Sequence, residues 1–218
     1  MRPDFSVLLN FWDTLALGAF WTIALTGVAS VISVVFGILF AVVALYAPAP
    51  IRWPVRAFEW VFMGTPLLLQ LFLIYFGLIT IGIDLPAFVA GALGLGLYFA
   101  VYNSDIIQAG IRAVDPGQTE AARALGLSRW QTIRDVTVPQ AVRSVVPPIG
   151  NNTIALLKDS ALVSVIGVAE LTLAAQQAIG RSFRPLEFYV AAAVIYYAIN
   201  LALEAVLRRI ERRISLAR

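Results

Sequence analysis

The chain has 218 residues, of which 60% are hydrophobic and only 13% are charged, against about 25% charged residues in ordinary soluble domains. Several stretches approach the ~20 uncharged residues needed to cross about 30 Å of hydrocarbon, so the composition excludes a soluble protein and predicts an all-α integral membrane protein. Cysteine and histidine are absent, which excludes a disulfide framework and a thiolate metal site and removes the commonest general base. Nucleic acid is not an expected partner, because the net charge of +3 is explained by orientation in a membrane.

Apolar stretches predict five membrane spans in a single domain that covers residues 1–218. The predicted spans are residues 17–46, 58–81, 87–110, 145–168 and 188–207. The loop after the first span, residues 48–56, contains three prolines and is not expected to be helical throughout. The third span is rich in glycine, which permits close helix approach, and the fourth is interrupted by Pro147 and Pro148. Residues 170–187 are expected to form an excursion before the last span.

One long polar segment, residues 115–139, separates the third and fourth spans. Asp115 is placed to cap a helix that begins at Pro116, and Gln118 at the third helical position would complete a capping box. Gly126 suits the left-handed position that follows a helix end. The first half of the polar segment is therefore predicted to be a short helix that ends at Gly126.

The second half of the polar segment is predicted to be another short helix, capped by Ser128 with Gln131 three residues later. One face of it is apolar and carries Trp130, Ile133 and Val136. This helix is expected to stop before Pro139. Two short capped helices joined at a glycine form a compact, protruding element, and from the residues alone a structured loop and a surface gripped by a partner are equally good interpretations.

Arginine residues are concentrated on one side of this five-span arrangement. That side holds 12 of the 16 basic residues, namely Arg52, Arg56, Arg112, Arg123, Arg129, Arg134, Arg143, Arg208, Arg209, Arg212, Arg213 and Arg218. The other side holds Arg2, Arg181 and Arg184, and Lys158 lies within a span. The positive-inside rule assigns the arginine-rich side to the cytoplasm. This places the N-terminus outside, the C-terminus inside and the polar segment in the cytoplasm.

The order of residues within the polar segment is specific: Glu-Ala-Ala, three residues, Gly, nine residues, an aliphatic, one residue, an aliphatic and then Pro. In this chain the positions are Glu120, Ala121, Ala122, Gly126, Val136, Val138 and Pro139. The pattern resembles the EAA loop of the permease subunits of ABC importers.

The resemblance extends over nearly the whole chain and narrows to the polar amino acid branch, the permeases for histidine, glutamine, arginine and opines. The stretches that carry it are Gly64-Thr65-Pro66-Leu67-Leu68 with Gln70, Gly117-Gln118, Pro139-Gln140-Ala141, Leu156-Leu157-Lys158-Asp159-Ser160 and Val165-Ile166-Gly167-Val168. Met63 stands where an arginine usually precedes Gly-Thr-Pro, and Tyr102-Asn103-Ser104-Asp105 follows the family only loosely. These departures bear on substrate details and not on the family.

The resemblance implies the type I ABC importer permease fold, with the polar segment as a coupling helix seated in a groove of a cytoplasmic ATPase. Ala121 and Ala122 would let the helix sit close to that partner. Glu120 would meet a basic group there, and Gly126 would set the angle between the two short helices. The chain has no phosphate-binding loop and is not expected to be an enzyme. ATP and Mg²⁺ would be bound by the separate ATPase, and no cofactor is expected in this chain.

Lys158 and Asp159 form the second site that the sequence singles out. Each charge costs about 2.5–3.5 kcal/mol at the centre of a membrane helix, so the fourth span is expected to face protein or water rather than lipid. Two interpretations stay open: an ion pair that locks helices together, and a substrate pathway in which Lys158, Asp159 and Ser160 meet the charged groups of an amino acid. Thr65 and Pro66 are either a kink or part of a gate near the pore.

Three other acidic residues are expected to have structural or solvated positions. Glu59, at a membrane boundary, is expected to be solvated or to snorkel towards water, and Asp105, close to the cytoplasmic edge, is expected to have a structural role. Glu204, with Asn200 one turn before it, is expected to bond to a neighbouring helix.

The resemblance implies a permease subunit of the bacterial inner membrane that moves a polar or charged amino acid, or an opine, into the cytoplasm by alternating access. Its partners would be a cytoplasmic ATPase dimer, a second identical or homologous permease, an extracytoplasmic amino acid binding protein and membrane lipid. The alternative is a secondary transporter or channel that uses Lys158 and Asp159 as an ion or proton relay. A membrane enzyme is disfavoured, because no histidine, no cysteine and no carboxylate pair in one apolar span are available for catalysis.

Overall fold

The computed structural model of the chain describes residues 3–216, with side chains up to residue 214. Arg2 and Arg218, which the sequence assigns to opposite sides of the membrane, lie outside the described residues. The α-helices are α1 (Trp12–Tyr46), α2 (Ala49–Gly64), α3 (Leu67–Phe72), α4 (Ala87–Arg112), α5 (Pro116–Ala124), α6 (Arg129–Gln131), α7 (Val138–Asp159), α8 (Leu171–Ser182) and α9 (Pro185–Leu216). Short 3₁₀ helices occupy Phe5–Phe11 and Ser160–Ile166, and π-helical turns occupy Leu73–Gly77 and Thr132–Thr137.

Three helices are long and apolar enough to cross a membrane, counted over residues 3–216: Phe5–Tyr46, Ala87–Arg112 and Pro185–Ile214. A fourth crossing is formed by Ala49–Gly64 and Leu67–Gly77 if these two helices are taken as one broken span. The predicted span at residues 145–168 is not among them. Its α-helix, α7, ends at Asp159 and contains Arg143, Lys158 and Asp159. The total of five spans therefore stays a prediction.

The second predicted span is broken rather than continuous. α2 ends at Gly64, α3 begins at Leu67, and the chain turns by 115° between them. Thr65 is extended, with φ −121° and ψ 143°, because a residue before a proline is pushed out of the helical region and Pro66 has no N–H to continue the helix. The kink that the sequence offered as one interpretation of Thr65 and Pro66 is present.

Other prolines interrupt the helices less than the sequence predicted. Residues 48–56, predicted as a loop, are mostly helical: Pro50 lies in the first turn of α2, where a missing N–H costs no helical bond, and Pro54 lies inside α2 without ending it. The N–H of Arg52 bonds to the Pro48 carbonyl at 3.0 Å. Pro147 and Pro148 lie inside α7 without ending it.

α1 and α4 pack closely against each other, and small residues make this approach possible. A Cβ atom added to Gly96 of α4 would lie 2.5 Å from Cγ2 of Ile32 on α1, well inside van der Waals contact. The close approach predicted for the glycine-rich third span is therefore confirmed. The buried face of α1 consists largely of small residues and hydroxyls, which include Gly18, Thr22, Thr26, Ala29, Ser33, Gly37 and Ala41.

Apolar clusters fill the interior between these helices. One joins α1, α3, α4 and α7 and includes Leu25, Leu71, Leu95 and Leu156. Another lies between the start of α1, α8 and α9, where Phe188 is fully buried and meets Phe11 edge to face with ring centroids 5.3 Å apart. The predicted excursion at residues 170–187 thus contains a helix, α8, that packs into the fold.

Candidate functional site

The first half of the polar segment is helix α5, which is capped at both ends. The Asp115 carboxylate accepts from the N–H of Gly117 at 2.7 Å, so the predicted cap is present, although its bond lies at the second helical position rather than in a box with Gln118. Gly126 has φ +82°, the left-handed conformation predicted for it. The N–H groups of Gly126 and of the next residue bond back to α5 carbonyls at 2.9 and 3.1 Å, which forms the Schellman motif that ends many helices.

The second half begins with the predicted capping box. Ser128 Oγ accepts from the Gln131 N–H at 3.3 Å, and the Ser128 N–H donates to Gln131 Oε1 at 2.9 Å. The prediction that this helix stops before Pro139 is wrong, because it continues through the π-helical turn Thr132–Thr137 into α7. The Val138 N–H bonds to the carbonyl five residues back. This wider turn accommodates Pro139, which has no N–H and would clash with the preceding turn of a regular helix.

The surface of the polar segment presents two large apolar side chains. Leu125 is 81% exposed and Trp130 is 67% exposed, although the sequence pattern places Trp130 on an apolar helix face. Glu120 and Ala121 are exposed near the same turn, whereas Ala122 is buried within this chain. Exposed apolar side chains on an otherwise polar element are typical of a docking surface.

Leu125 is the surface residue that the sequence reasoning missed. A signal for it existed, because the Schellman motif makes its apolar contact between the residues three before and two after the C-cap residue, which is Leu125. Those positions are Ala122 and Leu127, and the structure leaves both at least partly covered. Leu125 lies between them in the chain and has no such contact to make.

The charged groups of the polar segment lie at the surface. Arg134 Nε donates to Asp135 Oδ1 at 2.7 Å, and this hydrogen bond lowers the pKa of the Asp135 carboxyl below its ordinary value. Because both side chains are exposed, the pair stays charged at neutral pH and adds little to stability. Within residues 3–216, no group of three or more acidic, histidine or cysteine side chains is placed to hold a metal ion.

The structure separates the side chains of Lys158 and Asp159. None of the ion pairs among the described residues joins them, since adjacent residues on a helix do not face each other. Lys158 is exposed and lines a cavity of about 320 Å³ between α7 and α9. Asp159 is half-buried and lies close enough to Tyr98 of α4 to interact with its hydroxyl electrostatically. Ser160 is fully buried, and its hydroxyl donates to the Leu157 carbonyl at 2.7 Å.

The corner between α2 and α3 is braced by the buried side chain of Gln70. Its Nε2 donates to the Phe62 carbonyl at 2.8 Å and, through an N–H shared between two acceptors, to Thr65 Oγ1 at 2.8 Å and the Thr65 carbonyl at 3.1 Å. Thr65 Oγ1 donates in turn to the Val61 carbonyl at 2.7 Å. Thr65 and Pro66 themselves are exposed. The bend is therefore fixed from inside while its corner lies at the surface.

Two expectations for acidic residues are wrong. Glu59 is only 6% exposed rather than solvated, and its Oε1 accepts from Ser104 Oγ at 2.7 Å. Glu204 bonds within its own helix, to Asn200 at 2.8 Å and to Arg208 at 3.0 Å, rather than to a neighbouring helix. The partner of Glu59 lies 45 residues away in the sequence, so no local pattern identifies it.

Comparison with known proteins places this geometry in a family. The chain matches the family described as "Binding-protein-dependent transport system inner membrane component" over residues 33–216. It is 36% identical to the arginine transport system permease protein ArtQ of Bacillus subtilis (strain 168), over 99% of both chains. It is also 36% identical to the glutamine transport system permease protein GlnP of Escherichia coli (strain K12), over 99% of this chain and 100% of the relative. The nopaline transport system permease protein NocQ of Agrobacterium fabrum is 34% identical, over 86% and 85% of the two chains.

Solved structures share the fold. The crystal structure of an amino acid ABC transporter with histidines matches with a TM-score of 0.91 at 40% identity, covering 98% of this chain and 100% of that chain. An inward-facing MetNI methionine ABC transporter matches with a TM-score of 0.78 at 21% identity, covering 94% and 98%, which shows a common fold alone. The predicted type I ABC importer permease fold is therefore confirmed. The chain belongs to the binding-protein-dependent transport system inner membrane component family, and it is an ABC importer permease of the amino acid type.

Proposed function

We propose that this permease moves a polar or charged amino acid, or an opine, into the cytoplasm of a bacterium. Arginine, glutamine and nopaline are named for three of its relatives, which supports this substrate class. The complex would contain a second identical or homologous permease, two copies of a cytoplasmic ATPase and an extracytoplasmic binding protein that delivers the substrate. The permease would lie in the inner membrane.

The proposed topology has five spans, with the N-terminus outside and the C-terminus in the cytoplasm. α7 would be the fourth crossing, although it is too polar to face lipid on all sides. It packs against α1, α4 and α9 within this chain, and the second permease would shield it further. The distribution of arginines supports the orientation, because it assigns the polar segment and the end of α9 to the cytoplasmic side.

The observation that carries the proposal is the exposed apolar surface of the polar segment. Leu125 and Trp130 flank the left-handed turn at Gly126, and burial of a leucine side chain contributes about 1.5–3 kcal/mol. A groove on the ATPase would cover both side chains. Closure of the ATPase dimer on ATP would bring the polar segments of the two permeases together and open the path outwards, and hydrolysis would reverse the movement.

The substrate pathway is proposed to include the end of α7, where Lys158 lines the cavity towards α9, and the exposed corner of the broken span. Lys158 would meet a carboxylate and Asp159 a cationic group of the substrate. Ser160 would contribute indirectly, because its buried hydroxyl holds the end of α7. Thr65 and Pro66, at the exposed corner, would form a gate. ATP and Mg²⁺ would be bound by the ATPase alone, and this chain would carry no cofactor.

Co-purification with the ATPase encoded beside this chain tests the proposal. Leu125→Asp should abolish association and amino-acid-stimulated ATP hydrolysis, because it places a charge in the centre of the docking surface. Leu186→Asp is the matched control, since Leu186 is also exposed but lies at the start of α9, outside the polar segment. If Leu125→Asp inserts normally, remains bound and is fully stimulated, the polar segment is not the docking surface.

The rival function, an ion or proton relay in a secondary transporter, has less support from the site. A relay between Lys158 and Asp159 requires the two groups to exchange protons, and the structure points their side chains to different surroundings. Uptake that collapses with an uncoupler while ATP is held constant would favour the relay. Uptake that persists until ATP is removed would favour the importer.

A further inference from the structure

Glu59 is a buried carboxylate on α2 that the proposed transport cycle does not yet use. It lies less than two helical turns before the corner at Thr65, and its Oε1 accepts from Ser104 Oγ of α4 at 2.7 Å. A carboxylate that is removed from water is costly unless it is hydrogen bonded. The contact with Ser104 therefore fixes where this part of α2 lies on α4.

The contact continues as a chain of hydrogen bonds along α4. Gln108 Nε2 donates to Ser104 Oγ at 3.1 Å, and Arg112 Nη2 donates to Gln108 Oε1 at 3.4 Å. Residues four apart lie on the same face of a helix, so one face of α4 carries all three side chains. Each bond donates in the same direction, from the Arg112 guanidinium towards the Glu59 carboxylate. Glu59, Ser104 and Gln108 are buried, and bonds among buried groups polarise and strengthen one another, whereas Arg112 is exposed at the end of α4.

The two ends of this chain of hydrogen bonds lie next to the polar segment and next to the corner of the broken span. Coupled transport requires these two parts of the molecule to move together. Arg112 is the last residue of α4, and Asp115, which caps the first helix of the polar segment, follows shortly after it. Glu59 lies on the arm of the broken span that ends at the exposed corner. The chain of hydrogen bonds thus connects the ATPase-facing polar segment to the proposed gate through side chains of α2 and α4.

We propose that the chain Glu59, Ser104, Gln108 and Arg112 makes α2 follow α4, so that movement of the polar segment on the ATPase displaces the corner of the broken span. Glu59 is then a positioning residue for coupled transport rather than a residue that touches the substrate. This inference rests on the proposed function, since it assigns a route for the movement that the ATPase drives.

A second buried polar cluster provides a control for a purely structural role. Asn103 Nδ2 donates to Ser33 Oγ at 3.2 Å, and Asn152 Nδ2 donates to Asn103 Oδ1 at 2.9 Å. The cluster joins α1, α4 and α7 and includes a buried serine, like the chain from Glu59. It does not continue to Arg112 or to the corner. Loss of its hydrogen bonds should loosen the packing without uncoupling transport.

The experiment compares Ser104→Ala, Glu59→Leu, Glu59→Gln and the control Ser33→Ala in the full complex of permease, ATPase and binding protein in lipid nanodiscs. Three quantities are measured. The first is ATP hydrolysis, both basal and stimulated by arginine or glutamine, and the second is the thermal midpoint. The third, in liposomes, is the number of ATP molecules hydrolysed per amino acid imported. Ser104→Ala and Glu59→Leu should keep basal hydrolysis and lose stimulation by about fivefold or more. Glu59→Gln keeps an acceptor oxygen for Ser104 and should lose less. Ser33→Ala should lower the thermal midpoint and keep wild-type stimulation.

Non-additivity provides a further readout that general loss of stability does not mimic. Because Glu59 and Ser104 belong to one chain, the double variant Glu59→Leu/Ser104→Ala should be no more uncoupled than either single variant. Wild-type stimulation in Ser104→Ala and Glu59→Leu would overturn the inference, as would equal uncoupling by Ser33→Ala. If the wild-type complex itself shows no stimulated hydrolysis with any amino acid, the proposed function fails instead, which separates the two outcomes.

Discussion

Replacement of Gly126 by alanine should weaken binding of the ATPase without disturbing the rest of the fold. Gly126 has φ +82°, and a Cβ atom added there would meet nothing within 4 Å. The cost of Gly126→Ala is therefore conformational and not steric, at about 1–2 kcal/mol for a residue with a Cβ atom in the left-handed region. Since about 1.4 kcal/mol is a factor of ten, the native turn should be depopulated roughly 5- to 30-fold relative to turns with negative φ.

The apparent dissociation constant for the ATPase should rise by a similar factor, because only the native turn presents Leu125 and Trp130 together. Titration of purified ATPase into nanodiscs that contain the permease measures this change directly. Gly126→Asn should bind more tightly than Gly126→Ala, since asparagine tolerates the left-handed region better. Gly180→Ala is the matched control, because its Cβ atom also meets nothing within 4 Å and alanine suits the interior of α8.

Binding of Gly126→Ala within twofold of the wild type would contradict this prediction. It would mean that the ATPase does not require the left-handed turn, and the angle between α5 and α6 would then be irrelevant to docking. Equal weakening by Gly180→Ala would point instead to a general effect of the substitutions on the purified permease.

Two further predictions concern packing. Gly96→Ala should destabilise the protein by about 1–3 kcal/mol through overpacking, because the new Cβ atom would lie 2.5 Å from Ile32 Cγ2; the thermal midpoint in detergent should fall, while Gly27→Ala, with nothing within 4 Å, should leave it unchanged. Phe188→Ala should lower the free energy of unfolding by roughly 3 kcal/mol, which is the low end of the range for an aromatic core residue. The low end is expected because a helix that separates from the bundle is surrounded by lipid rather than by water. Tyr189→Ala, at an exposed position, should have little effect in the same assay, and equal midpoints for the two variants would contradict the assignment of the core.

The local structure of the polar segment could be predicted because each signal acts over a few residues. The Asp115 carboxylate reaches an N–H within the first turn, Gly126 adopts a conformation that other residues avoid, and Ser128 and Gln131 satisfy each other across three positions. The apolar stretches likewise predicted the long helices, because length and hydropathy decide which segments can cross a membrane.

Breaks in the helices were predicted less well, because a proline acts through the turn that precedes it. Pro66 follows a residue in extended conformation and ends α2, whereas Pro139 follows a π-helical turn and does not end the helix. Pro50 lies where no helical bond is lost. Proline therefore has three outcomes here. The sequence around Pro139, which does not end its helix, does not distinguish it from Pro66, which follows the end of α2.

Burial of charged side chains could not be predicted, because it depends on partners that are distant in the sequence. Glu59 is buried, and its carboxylate is hydrogen bonded by Ser104 of α4. Lys158 and Asp159 are adjacent in the chain, yet Lys158 is exposed beside the cavity towards α9, whereas Asp159 is half-buried. The residues proposed for the pathway could thus be named from the sequence, but their surroundings could not.

The continuous helical path from Ser128 to Asp159 would turn a small rotation at one end into a larger displacement at the other. α7 alone has 22 residues, and at about 1.5 Å per residue it is roughly 33 Å long. If the helix pivots near its Val138 end by about 10°, its far end travels about 6 Å, close to the length of one helical turn. A modest reorientation imposed by the ATPase at the capped end would thus reach Lys158 as a displacement comparable to the size of an amino acid.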